Sequence, residues 1–477
     1  MAGDKSRHPL LDYQSAVGHY RHRFAEISVK ETYMQSTASY KGQRALIVGM
    51  GMSGRSAAHF LLVQGAIVQG IDRDPSLQSL GEIEDLQKLG MRVQHEQESL
   101  DVKDFDFIVL SPGVPPTHPV VKAAKAAQIE VVGEIELGCR MLKQPAIGIT
   151  GTNGKTTVTL LVTHILKQSG YPAKALGNVG VPFTRELMAL QAQETIILEL
   201  SSYQLETMQQ KILEQAVILN VTPDHLDRYA SMEEYASAKF NIGRCLTHAG
   251  KLFVEDKAWQ DYGSLLQHGE ANRYGYDEAC LVYTDLQSVF YGGRRVFDLP
   301  TLLRGKRSHD VENILAAYAL CAGRVSGEQF LHALASFKKP SHRIEFVLEK
   351  KGVRYYDDSK GTNIDAVVRA VQSLEGPIIL IAGGVDKGAS YHPWVDAFRG
   401  RVKAIYAIGQ AAEKMHRELS AHFPLKIAAS LDLAVRQAAD QAQEGETVLL
   451  SPGCSSFDMF KDYAHRGEEF QRIVRQL

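Results

Sequence analysis

The chain has 477 residues, 44% hydrophobic and 23% charged, enough apolar sequence for two to four packed domains and too much for a disordered chain. A net charge of −2 with no strongly basic segment argues against a nucleic-acid partner. Five cysteines (Cys139, Cys245, Cys280, Cys321, Cys454) form no C-x-x-C pair, and no run has the length of a signal peptide or membrane span, so the expectation is a cytoplasmic protein with free thiols and no membrane insertion.

Residues 1–40 are polar and read as a weakly ordered N-terminal extension, with Met34 an alternative start. From Arg44 onward, short β-branched runs alternate with longer helical patterns, the mark of parallel sheets with crossover helices. The expected fold class is α/β in three domains: a Rossmann-like one at 41–133, a central phosphate-loop ATPase-like one with a mostly parallel sheet at 134–339, and a second Rossmann-like one at 340–477. Strands are expected at Ala45–Val48, Ile67–Ile71, Phe107–Leu110 and Glu130–Val132 in the first. The second has them at Ala146–Thr150, Thr195–Leu200 and Ala216–Val221, and the third at Gly352–Tyr356, Ile378–Ala382, Ala404–Ile408 and Thr447–Leu450.

In the first block, Gly49-Met50-Gly51-Met52-Ser53-Gly54 follows a strand and opens a helical run, and Asp72 closes the next strand. Glycines there let backbone approach a pyrophosphate at a helix N-terminus, and the carboxylate suits ribose hydroxyls. The motif does not say which nucleotide, since a UDP-sugar offers the same pyrophosphate as NAD, and an NAD-dependent oxidoreductase is the rival it admits. Ser111-Pro112-Gly113 and Ser451-Pro452-Gly453 both follow an apolar strand ending in leucine, which points to a ligand-facing edge in each outer domain.

The second block carries Gly148-Ile149-Thr150-Gly151-Thr152-Asn153-Gly154-Lys155-Thr156-Thr157 after an apolar strand. A glycine-rich turn offers N–H groups to phosphate oxygens, Lys155 reaches the β/γ region and the Thr156 hydroxyl meets Mg²⁺, so ATP is the expected nucleotide. The common spacing would place glycine at Ile149; here glycines flank it. Glu199 ends a later apolar strand, where a Mg²⁺-anchoring acid belongs, and Asp224, His225 and Asp227 end the next.

These residues resemble the Mur ligases, especially the branch that adds D-glutamate. The resemblance rests on Thr150-Gly151-Thr152-Asn153-Gly154-Lys155-Thr156-Thr157, Glu199-Leu200-Ser201-Ser202-Tyr203-Gln204-Leu205-Glu206, Asn220 to Tyr229, His309 to Asn313, Ser341-His342-Arg343, Asp357 to Asn363 and Leu450 to Asp458, and it spans Lys41 to Leu477. It implies ATP-dependent ligation of D-glutamate to UDP-N-acetylmuramoyl-L-alanine through an acyl phosphate, in peptidoglycan precursor synthesis, by a monomer using two Mg²⁺ ions. Lys239 is implied to be a carbamylated lysine that, with His225, holds one ion, while Thr156 and Glu199 hold the other. Asn313, Arg343 and Asp358 join the phosphate loop (Gly151 to Thr157) in binding ATP. Gly51, Met52, Ser53, Asp72, Ser111, Pro112, Gly113, Asn178, Ser201 and Gln204 fall where the UDP-substrate runs. Lys360, Thr362, Lys387, Ser456, Phe457 and Tyr463 fall on the D-glutamate positions, where cations and hydroxyls suit a dicarboxylate. The D-N-P-R run of the diaminopimelate-adding branch is absent, and Arg73-Asp74 after Asp72 departs from the usual pattern of a hydroxyl residue and arginine.

Overall fold

The computed structural model describes residues 40–74, 81–96, 98, 100–179 and 181–477. The expected polar extension, Met34 included, lies outside the described residues except for its last position. From Lys41 to Leu477 the chain forms one compact unit built on three sheets.

The first sheet comprises β1 (Arg44–Val48), β2 (Ile67–Asp72), β3 (Arg92–His95), β4 (Phe107–Leu110) and β5 (Glu130–Gly133). All pairings are parallel in the order β3-β2-β1-β4-β5, which sets the reversal of strand order between β1 and β4, where such sheets open a binding crevice. The second sheet holds β6 (Ala146–Thr150), β7 (Ala173–Gly177), β8 (Thr195–Glu199), β9 (Leu213–Ile218), β10 (Leu246–Glu255), β11 (Ala271–Gly275), β12 (Val282–Thr284), β13 (Ser288–Tyr291) and β14 (Arg294–Asp298). Its order is β14-β13-β12-β11-β10-β9-β6-β8-β7, antiparallel only at β12-β13-β14. The third sheet holds β15 (Glu345–Lys350), β16 (Val353–Asp357), β17 (Ile378–Gly383), β18 (Val402–Ile408), β19 (Leu425–Ile427) and β20 (Thr447–Leu450), ordered β15-β16-β20-β17-β18-β19 with β15 antiparallel at the edge.

Four of the strands foreseen from apolar runs, β4, β6, β17 and β20, are buried on both faces. Besides β10 to β14, none of which was placed individually, four strands were not foreseen: β3, β7, β15 and β19. They lie at sheet edges with half-exposed or exposed residues, and carry no continuous apolar signal. The strand expected at Ala216–Val221 instead runs from Leu213 to Ile218. Beyond Ile218 the backbone turns to the phosphate loop, where Asn220 accepts from Thr152 N–H (2.8 Å) and its side chain accepts from Asn153 N–H (2.8 Å). All five cysteines are buried and free, and no helix among the described residues is long and apolar enough to cross a membrane.

Candidate active site

The phosphate loop joins β6 to the helix Lys155–Gln168. Gly154 caps that helix in the left-handed region (φ +88°), and a Cβ there would stand 2.6 Å from Asn313 Oδ1, so this amide on the helix His309–Cys321 lies directly over the loop. Lys155 Nζ donates to Gly151 O (2.9 Å) and Thr152 O (2.8 Å). Burial lowers its pKa, with Glu199 and Asp224 opposing the shift.

Around this loop stand the ends of β8 and β9. Glu199 is 2% exposed; Asn178 Nδ2 donates to its Oε1 (3.1 Å), while Oε2 is buried without a hydrogen-bond partner. A buried carboxylate oxygen left unpaired is costly unless a cation or donor meets it, and Thr156 is buried on the neighbouring helix turn. The donor set therefore fits a divalent ion that prefers oxygen. His225 has a left-handed backbone (φ +56°), uncommon for a residue other than glycine and frequent at functional sites. Burial pushes its pKa down to about 4, leaving a neutral imidazole able to ligate a metal. Its Nδ1 is 2.7 Å from Tyr203 OH.

Lys239, on the helix Met232–Phe240, is 1% exposed, donates to Gly151 O (2.8 Å) and lies 4.4 Å from the centroid of the Tyr235 ring. Burial, reinforced by Lys155, holds its pKa well below the usual lysine value. A neutral buried amine is the form that reacts with CO₂, so the position fits a carbamate.

The C-terminal residues reach into the same place. Asn363 Nδ2 donates to Asn153 Oδ1 (3.1 Å) and Asp224 Oδ2 (3.1 Å), and Asp365 accepts from Asn153 Nδ2 (2.9 Å) and Thr222 Oγ1 (3.2 Å). Lys387 pairs with Asp224 (3.1 Å). Lys360 Nζ donates to Tyr463 OH (3.1 Å), and burial brings its pKa down to about 8. Asp358 accepts from Ser451 Oγ (2.6 Å), and burial pushes its carboxyl up to about 7. Arg343 Nε is buried and unpaired. Thr362 is half-buried and Ser456 buried, whereas Phe457 is 74% exposed.

At the end of the first sheet, Gly51 caps the helix Met52–Val63, with Met52 exposed and Ser53 in the first turn. Asp72 accepts from Met50 N–H (2.6 Å) and Asp74 N–H (2.9 Å), so its carboxylate braces the glycine turn. Ser111 Oγ donates to Gly49 O (2.6 Å), Pro112 O accepts from Arg228 (3.2 Å), and Gly113 lies in open space. Both Ser-Pro-Gly echoes thus tie a strand end to the loop after a neighbouring strand. Ser201 and Gln204 form a capping box for the helix Ser202–Thr207.

Sequence reasoning missed several residues of this region. Arg466, 1% exposed, donates to Ser359 Oγ and O and to Cys454 O, binding the loops after β16 and β20. Its place one and two helical turns before Phe470 and Ile473, on their apolar stripe, was the available signal. Asp365 and Tyr203 carried none. Glu199, Asp224 and His225 do not form a compact trio. Among the described residues the one tight cluster of such groups is His342, Glu345 and Asp357, in which His342 Nδ1 lies 2.7 Å from Asp357 Oδ2 and Glu345 accepts from His342 N–H.

Residues 43–133 match the family described as Mur ligase MurD-like, N-terminal domain; 149–321 match the Mur ligase middle domain; 342–454 match the Mur ligase, glutamate ligase domain. The UDP-N-acetylmuramoylalanine–D-glutamate ligase of Protochlamydia amoebophila (strain UWE25) is 58% identical over 441 residues, covering 92% of this chain and 99% of that protein. The ligase of the same name from Koribacter versatilis (strain Ellin345) is 37% identical over 92% of this chain and 98% of its own. Among solved structures, the fold resembles UDP-N-acetylmuramate-alanine ligase MurC from Thermotoga maritima (TM-score 0.57, 18% identity, 91% and 99% covered). It also resembles MurF ligase from Thermotoga maritima in complex with ADP (TM-score 0.54, 15% identity, 92% and 97% covered). With identity this high over nearly its whole length, the chain belongs to the Mur ligase family.

Proposed function

We propose that this protein uses ATP to join D-glutamate to UDP-N-acetylmuramoyl-L-alanine, a step of peptidoglycan precursor synthesis. The observation that carries the chemistry is the convergence of Lys155, the unpaired carboxylate oxygen of Glu199, neutral His225 and buried Lys239 on one phosphate loop. The choice of amino acid is supported by the relative that is 58% identical.

In the first step the γ-phosphoryl group of ATP passes to the alanyl carboxylate, giving an acyl phosphate and ADP. Lys155 and the loop N–H groups hold the phosphates and offset the repulsion between triphosphate and carboxylate. In the second, the amine of D-glutamate attacks the acyl carbon, an amide bond forms and inorganic phosphate leaves. Lys360, Thr362, Lys387, Ser456, Phe457 and Tyr463 are the proposed amino-acid contacts, and Asn313, Arg343 and Asp358 the proposed ATP contacts beyond the loop. Thr156 and Glu199 would hold one Mg²⁺, and His225 and carbamylated Lys239 a second. Bound there, Mg²⁺ supplies neutralisation of phosphate and oxyanion charge.

Purified protein should release phosphate from ATP only when both UDP-N-acetylmuramoyl-L-alanine and an amino acid are present, with D-glutamate far above L-lysine or meso-diaminopimelate. Equal rates with all three amino acids would sink the specificity.

A further inference from the structure

His225 has two ring nitrogens, and a metal ligand must present one of them as a lone pair while the other keeps the proton. Which nitrogen is which depends on what the non-ligating one touches. Nδ1 faces Tyr203 OH at 2.7 Å. Nε2 has Asp224 Oδ2 at 3.7 Å, beyond hydrogen-bond range, and that oxygen already accepts from Asn363 at 3.1 Å. The other oxygen, Oδ1, accepts from His225 N–H (2.9 Å) and Lys387 (3.1 Å). Asp224 is therefore engaged elsewhere, and Tyr203 is the side chain at hydrogen-bond distance from the ring.

Tyr203 is itself held from outside. The Arg228 guanidinium lies 4.0 Å from its ring centroid, a cation over a π face. Arg228 is fixed by Glu206 (2.7 Å), which also accepts from Tyr229 OH (2.6 Å), and by Pro112 O (3.2 Å) on the Ser-Pro-Gly turn after β4. Tyr203 also meets His225 edge-on at 5.0 Å between centroids. The left-handed backbone of His225 is tied down by Arg228 N–H and Tyr229 N–H, both donating to His225 O.

From this geometry we infer that Tyr203 is a positioning residue: its hydroxyl oxygen accepts the Nδ1 proton of His225, fixing the tautomer that leaves Nε2 as the metal-facing lone pair. The inference rests on the reading of His225 as a metal ligand. Arg228 holds the tyrosine, so the turn after β4 and the ligand side chain belong to one connected set of contacts.

The test is Mn²⁺ binding to the full chain with ADP present, read from free Mn²⁺ by electron paramagnetic resonance, for wild type, Tyr203→Phe, His225→Ala and the double variant. Tyr203→Phe keeps the ring against Arg228 and His225, so unchanged far-ultraviolet circular dichroism is expected. It should weaken Mn²⁺ affinity by about 10-fold or more, and the double variant should be no weaker than His225→Ala alone. Nitrogen-15 spectra of labelled histidine should show the His225 proton on Nδ1 in wild type and redistributed in Tyr203→Phe. If His225→Ala weakens binding and Tyr203→Phe does not, the positioning role is wrong and the ligand reading stands. If His225→Ala leaves binding unchanged, the ligand reading itself fails.

Discussion

Lys239, His225 and Asp358 are ordinary side chains whose proton affinities are displaced mainly by removal from water. For Lys239 burial favours the neutral amine. Replacing it by alanine should remove most of the turnover, and added short carboxylic acids should restore part of it; a phosphate-release assay with and without acetate reads this directly. For Asp358 the sign of the pH dependence follows from a folded pKa of about 7 against 3.8 for the ordinary carboxyl. The folded state binds more protons than the unfolded one between those values, so this group favours folding at low pH and the benefit is lost as pH rises through about 7. Asp358→Asn removes the titration. Its melting temperature relative to wild type should climb between about pH 4 and pH 7 and level off above, and a flat difference across that range would contradict the assignment.

At the scale of elements, the turns that carry the site tolerate little extra volume. A Cβ on Gly54 would lie 2.0 Å from Gly49 O, backbone that cannot step aside without opening the turn between β1 and the helix Met52–Val63. Gly54→Ala should therefore cost about 1–3 kcal/mol in denaturant unfolding and weaken UDP-substrate binding. Gly323→Ala, with nothing within 4 Å of its Cβ and no positive φ, is the silent comparison. Arg228 joins two elements of different sheets, and Arg228→Ala should raise the KM for the UDP-substrate, because Pro112 O and Val114 O lose their common donor.

Across the whole molecule, the C-terminal segment meets the phosphate loop through Asn363 and Asp365, and the segment after β9 through Lys387. Lys387 is paired with Asp224, so in its proposed role a D-glutamate carboxylate would have to compete for it. Lys387→Ala should raise the KM for D-glutamate by about 10-fold or more while leaving that for ATP near its original value, as expected when a charge-assisted contact to one substrate is lost. Asp365→Ala removes the carboxylate oxygen that accepts from both Asn153 and Thr222. Without nucleotide, its radius of gyration by small-angle scattering should exceed that of wild type, and ATP with UDP-substrate should narrow the gap.

The buried strands, the phosphate loop, Glu199 at the end of β8 and the glycine turn after β1 were legible in the sequence by itself. Each depends on a local pattern: a continuous apolar run, or glycines at positions where backbone must approach a phosphate or another loop. The edge strands β3, β7, β15 and β19 were not legible, because half-exposed residues carry no sharp periodicity. The end of β9 was misplaced for a related reason, since Asn220 bonds to a loop 67 residues away rather than to a neighbouring strand. Only the tertiary structure decided that Lys239 is a buried amine beside Gly151 O, that Asp72 braces its own turn, that Arg466 clamps two loops, and that Tyr203 stands on His225. Those properties belong to burial and to contacts between distant segments, and neither is a property of a residue type at a position in a chain.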